Sequence, residues 1–115
     1  MKKNALFVFN GDPLCFIHVL LNALDMKEKG DDVQIVMEGA SVKLIPELKK
    51  EDHPLYGLWK KVRIAGLLAG VCEACSRKMG TLENAKEQEL VLLNDMNGHP
   101  SMSRFQQEGY EIISF

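Results

Sequence analysis

The four residues Cys72-Glu73-Ala74-Cys75 carry the side chains of this sequence best suited to chemistry. A thiolate attacks sulfur electrophiles, and a second cysteine one helical turn on can resolve a disulfide or a persulfide. The same spacing has two other readings. It is half of a zinc site, for which His53, His99 or Cys15 would supply the missing ligands. Or it is a pair of small residues buried in a packed turn. A CxxC without a partner CxxC is a weak zinc signal, and the surroundings lack the Trp and Pro of the thioredoxin motif. Spacing alone leaves all three readings open.

His99, in a loop before Pro100 and Ser101, can transfer protons near neutral pH or simply bond to backbone. Asp95 either holds His99 or caps the loop, and Asn97-Gly98 reads first as a turn. His18 falls on the polar face of a helix, and His53 before Pro54 reads as a cap or turn. Cys15 reads as a small core residue, and Met79, Met96 and Met102 as packing.

The elements that must position these groups follow from the apolar pattern. Ala5 to Phe9 is a continuous apolar run, as in a strand buried on both faces. Asp12 caps a helix that begins at Pro13 and stops at Gly30. Its stripe is Ile17, Leu20, Leu21 and Leu24, widened by Phe16, Val19 and Ala23. That is more apolar surface than one sheet face covers, so part of it is expected against another subunit. Asp32 to Glu38 is the second strand, Ser41 caps a short helix to about Lys50, and Lys49 to Asp52 is a solvated charge run. His53-Pro54 opens a helix ending at Gly66. Leu67 to Cys72 is the third strand. Cys75 or Ser76 opens a helix that Gly80 interrupts and that resumes from Leu82 to Glu89. Leu90 to Leu93 is the fourth strand, Ser101 caps a helix that stops at Gly109, and Tyr110 to Phe115 is the fifth strand.

This order, β-α-β-α-α-β-α-β-α-β, predicts an α/β fold with a parallel sheet. Ligands of such sheets bind beyond the carboxyl ends of the strands. The pocket candidates there are Asn10, Gly11 and Asp12, then Glu38, then Cys72, Cys75 and Ser76, then Asp95 and His99. Nucleotide binding is not expected, because no G-x-G-x-x-G or G-K-[ST] is present and Asp12 would repel phosphate.

With 115 residues, 46% hydrophobic and 26% charged, one domain over residues 1–115 is expected. A net charge of −2 speaks against sequence-independent nucleic-acid binding. No apolar run reaches the roughly 18–20 residues of a bilayer span. Lys2 and Lys3 precede an apolar stretch, as in a signal peptide, but that stretch is shorter than the roughly 7–15 residues such a segment needs. Three cysteines are too few for a disulfide scaffold. A reduced, cytoplasmic protein is the expectation.

Asn10-Gly11-Asp12 after the first strand, the long apolar first helix and Cys72-x-x-Cys75-x-x-x-x-Gly80 together resemble the DsrE/DsrF-like proteins over nearly the whole chain. The resemblance implies a three-layer α/β/α sandwich around a five-stranded parallel sheet ordered 4-3-2-1-5. It implies homo-oligomers, trimers or hexamers, and sulfur donor and acceptor proteins as partners. Relatives in sulfur relays carry a persulfide on a cysteine at the end of the third strand, ahead of a glycine. Cys72 and Gly80 stand in those positions, so the resemblance makes Cys72 the sulfur-accepting residue. Cys75 matches a subset of relatives and would release the sulfur as a disulfide with Cys72. Helix amides near Ser76 and Arg77 would hold the anion. No cofactor and no metal are assigned. The rival expectation is a non-catalytic homo-oligomeric module binding a small ligand or a metal.

Overall fold

The computed structural model describes residues Met1–Phe115. Its strands are β1 (Lys3–Val8), β2 (Asp32–Met37), β3 (Leu68–Cys72), β4 (Leu92–Leu93) and β5 (Glu111–Ser114). Its helices are α1 (Pro13–Glu28), α2 (Ile45–Leu48), α3 (Tyr56–Ile64), α4 (Glu73–Lys78), α5 (Leu82–Glu87) and α6 (Met102–Gln107), with a 3-10 helix over Gly39–Leu44. All strand pairs are parallel and the sheet runs β4-β3-β2-β1-β5, the expected order.

Right-handed crossovers fix the layers. The steps from β1 to β4 all move one way across the sheet, so their helices share one face. The return from β4 to β5 puts α6 on the other. The larger core matches this. It joins Leu6, Val8, Val33, Ile35, Met37 and Val71 of the sheet to Phe16 and Val19 of α1, Trp59 and Val62 of α3 and Ala85 of α5. On the second face, Ala5, Phe7, Val36 and Leu93 meet one buried helical side chain, Phe105. Phe105 sits edge-on to Phe7 at 5.5 Å and to Tyr110 at 5.8 Å. Each such pair contributes about 0.5–1.5 kcal/mol beyond burial.

Helix α1 starts as its residues dictate. The Asp12 carboxylate accepts the Leu14 N–H at 2.9 Å, and Pro13 takes a position where no amide is needed. Its buried stripe is Phe16, Val19, Leu20 and Ala23. Ile17 and Leu24 are only half-buried, and Leu14 and Leu21 are 79% and 45% exposed. The stripe is therefore rotated from the expected one, because Phe16 is drawn inward beside Trp59. Cys15, one position earlier, faces solvent rather than the core.

Three other boundaries differ from expectation for local reasons. Ser41 caps no helix, because its hydroxyl donates to the Val8 and Glu38 carbonyls at 2.9 and 2.7 Å. Helix α3 begins at Tyr56, because the His53 Nδ1 accepts the Leu55 N–H at 3.0 Å and spends that stretch on a turn. Strand β4 is confined to Leu92–Leu93. The chain leaves α5 through Glu89 at φ 59°, with the Leu90 N–H donating to the Ala85 carbonyl at 3.0 Å. Lys49 to Asp52 is exposed, as a charge run should be.

Candidate functional site

Cys72 is the last residue of β3 and the N-cap of α4. Helix α4 thus starts at Glu73, not at Cys75 or Ser76. The Cys75 N–H donates to the Cys72 Sγ at 3.3 Å, in place of the amides expected near Ser76 and Arg77. One helical turn brings Cys75 back over Cys72, which is the structural content of the CxxC spacing.

The third member comes from the loop between β4 and α6, where the return crossover begins. Asn97 and Gly98 adopt φ 49° and 86°, the paired positive values of a two-residue turn that Asn-Gly favours. Met96 and His99 close it with mutual backbone bonds of 2.8 and 2.9 Å. The Gly98 carbonyl accepts the Ala74 N–H at 2.9 Å, fastening this turn to the first turn of α4. A Cβ on Gly98 would lie 3.1 Å from that of Ala74, so the approach needs glycine twice over. The turn places His99 Nδ1 3.1 Å from the Cys72 Sγ and 3.8 Å from the Cys75 Sγ. All three ligand atoms lie within 4.8 Å of one another.

The electrostatics run against one expectation. Cys72 has no exposed surface. Burial raises its thiol from 9.0 to about 12, outweighing the Cys75 amide, with Cys75 and Glu38 adding to the rise. One amide of a six-residue helix does not offset the loss of solvent around a sulfur anion. The Cys72 S–H has two acceptors, His99 Nδ1 and the Gly98 carbonyl at 3.6 Å. Cys75 and His99 are half-buried, so the outward side of the cluster is theirs.

The other candidates separate into three kinds. Glu38 is 8% exposed, and desolvation raises its carboxyl above 4.5. It walls a rim cavity of about 400 Å³ with Phe9, Met96, Pro100, Met102 and the serines at 101 and 103. Asn10, Gly11 and Asp12 serve the chain turn: Asn10 Oδ1 accepts the Asp12 N–H at 2.8 Å, and Asp12 caps α1. A Cβ on Gly11 would meet the Ala40 carbonyl at 2.6 Å, so that loop packs against its neighbour. Ser76 is buried with no partner for its hydroxyl. Asp95 does not hold His99; it pairs with Arg104 at 2.6 Å. His18 is exposed, as expected of a polar helix face, and Met96 and Met102 are more exposed than packing residues. The contributions of Gly98 were not read from sequence, although the Asn-Gly pair was the signal that located its turn.

A model of the DsrE/DsrF-like family matches residues 3–115. An uncharacterized protein of Methanocaldococcus jannaschii is 40% identical over 97 residues, 84% of this chain and 77% of that one. An uncharacterized protein of Archaeoglobus fulgidus is 37% identical over 38 residues, 33% of this chain and 62% of that one. No helix is long and apolar enough to cross a membrane.

Proposed function

We propose that this chain, which belongs to the DsrE/DsrF-like family, is a sulfur carrier that holds sulfane sulfur as a persulfide at the Cys72/Cys75 pair. The observation that carries the reading is the convergence of two sulfurs and an imidazole on one point at the strand ends. The half-buried Cys75 meets the donor. His99 Nδ1 takes its proton, and the thiolate attacks the outer sulfur of a donor persulfide. A new S–S bond forms on Cys75, the donor thiolate leaves, and it recovers a proton from the imidazolium. An acceptor thiolate reverses the step by attacking the terminal sulfur, which restores the Cys75 thiol. Alternatively, Cys72 gives its proton to His99 and attacks the Cys75 Sγ, closing a Cys72–Cys75 disulfide and expelling hydrosulfide. Cys72 is then the sheltered second sulfur, and burial, which raises its pKa, holds it as the thiol until His99 takes its proton.

The test is intact mass after the reduced protein meets polysulfide. Because Cys15 is an exposed free thiol, the test is made in a Cys15→Ser background. The expected result is a gain of one sulfur atom on Cys72→Ser, removed by reductant and lost in Cys75→Ser. No adduct on Cys72→Ser, or one that survives when both Cys72 and Cys75 are replaced, would refute the reading. Self-association as a trimer or hexamer belongs to the same proposal, supported by the exposed Leu14 and Leu21 of α1; light scattering tests it. Three free thiols suit a reducing, cytoplasmic setting with protein donors and acceptors.

A further inference from the structure

We propose that Cys72, Cys75 and His99 form a zinc site of three protein ligands with an open fourth position. The CxxC alone is half a site, and the fold supplies the next ligand from a segment 27 residues away from Cys72. Cys15 and His53, the other donors the sequence offered, belong to no such cluster.

Geometry is the first argument. Zinc bonds of about 2.3 Å to sulfur and about 2.0–2.1 Å to nitrogen, at tetrahedral angles, place S and N roughly 3.6 Å apart and the two sulfurs roughly 3.8 Å apart. The two S···N separations are 3.1 and 3.8 Å, and no pair of ligand atoms exceeds 4.8 Å. Small side-chain rotations therefore enclose an ion. The Cys75 N–H that reaches the Cys72 Sγ orients that ligand from behind, as outer-shell donors do. Burial closes the Cys72 side, while Cys75 and His99 leave the fourth position open outward for water.

Charge is the second argument. Cys72 has no exposed surface. A dication bonded to two thiolates is neutral as a unit, so seating the ion brings no net charge into that enclosed site. Binding forms two Zn–S bonds and one Zn–N bond and sends two thiol protons to solvent, with no change of oxidation state. An ion seated there occupies the lone pairs that sulfur acceptance needs, so zinc and sulfane sulfur exclude one another.

The probe is Co²⁺ added to reduced, metal-free protein. Expected are saturation at one ion per chain, tetrahedral visible bands, and a sulfur-to-cobalt charge-transfer band that Zn²⁺ bleaches. Zinc itself should release two protons per ion, read with a pH indicator on wild-type protein. Cys72→Ser and Cys75→Ser should each weaken the charge-transfer band. His99→Ala should lower affinity by more than the roughly 10- to 100-fold that loss of an outer-shell partner costs. Cys15→Ser should leave the spectrum unchanged. A wild-type protein that shows no charge-transfer band and releases no protons overturns the proposal, as does a band that depends on Cys15. Sulfur loading is measured on metal-free protein, so failure of either reading leaves the other standing.

Discussion

Cys72 should be among the least reactive thiols this chain can present, although it sits in the motif that invites the opposite expectation. The perturbation is a short iodoacetamide pulse at pH 8, with reductant and chelator, on native protein and on the same protein in urea. Only thiolate alkylates, and a rise from 9.0 to about 12 lowers the thiolate fraction at that pH by about a thousandfold. Steric burial slows the reaction further, because Cys72 has no exposed surface. Native Cys72 should therefore label at least about a thousandfold more slowly than unfolded Cys72. Peptide mapping with fragmentation separates it from Cys75, and exposed Cys15 reports that the reagent was active. Native labelling within about tenfold of the unfolded rate would refute the reasoning. It would mean that the imidazole 3.1 Å away holds the proton and that the pair exists as thiolate and imidazolium.

Other expectations follow from the same contacts. Gly98→Ala should cost about 1–2 kcal/mol for a left-handed residue, and denaturant melts should show it together with faster Cys72 labelling, because its φ is +86° and its Cβ would press on Ala74. Phe105→Ala should cost about 3–5 kcal/mol as a large core truncation, since it is the one buried side chain of α6. Glu89→Gly should stabilise by up to about 1 kcal/mol in thermal melts, because Glu89 sits at φ 59°. Folding favours the protonated form of Glu38, whose carboxyl is raised above 4.5. That contribution is complete below pH 4.5 and is lost as pH rises through the folded value. Glu38→Gln should therefore gain stability relative to wild type across that rise, and a constant difference in pH-dependent melts would contradict it.

What the sequence disclosed was mostly local. The Asp12 cap with Pro13, the Ser101 cap, the Asn97-Gly98 turn and the alternation of strands and helices each depend on neighbours within a few residues, and each stands in the structure. The sheet order came from family resemblance. Phase errors arose where tertiary packing decided: Phe16 turns inward beside Trp59, which swings Cys15 out to solvent. Pairings far apart in sequence were not legible. Asp95 lies nearer to His99 in sequence than to Arg104, nine residues away, yet the Arg104 guanidinium took it. His99 was singled out for its chemistry, but nothing local said that it would meet Cys72. A covered strand-end sulfur was one of the three readings that the CxxC spacing left open, and no local signal singled it out.

The bond between the Ala74 amide and the Gly98 carbonyl has a consequence for how the cluster is lost. The sulfurs belong to one stretch of chain, and the imidazole to another that joins them only through this turn. Whenever the turn lifts, the molecule keeps its dithiol but forfeits its base and its third donor together. Deuterium uptake at that single amide thus counts the moments in which the centre is half-built.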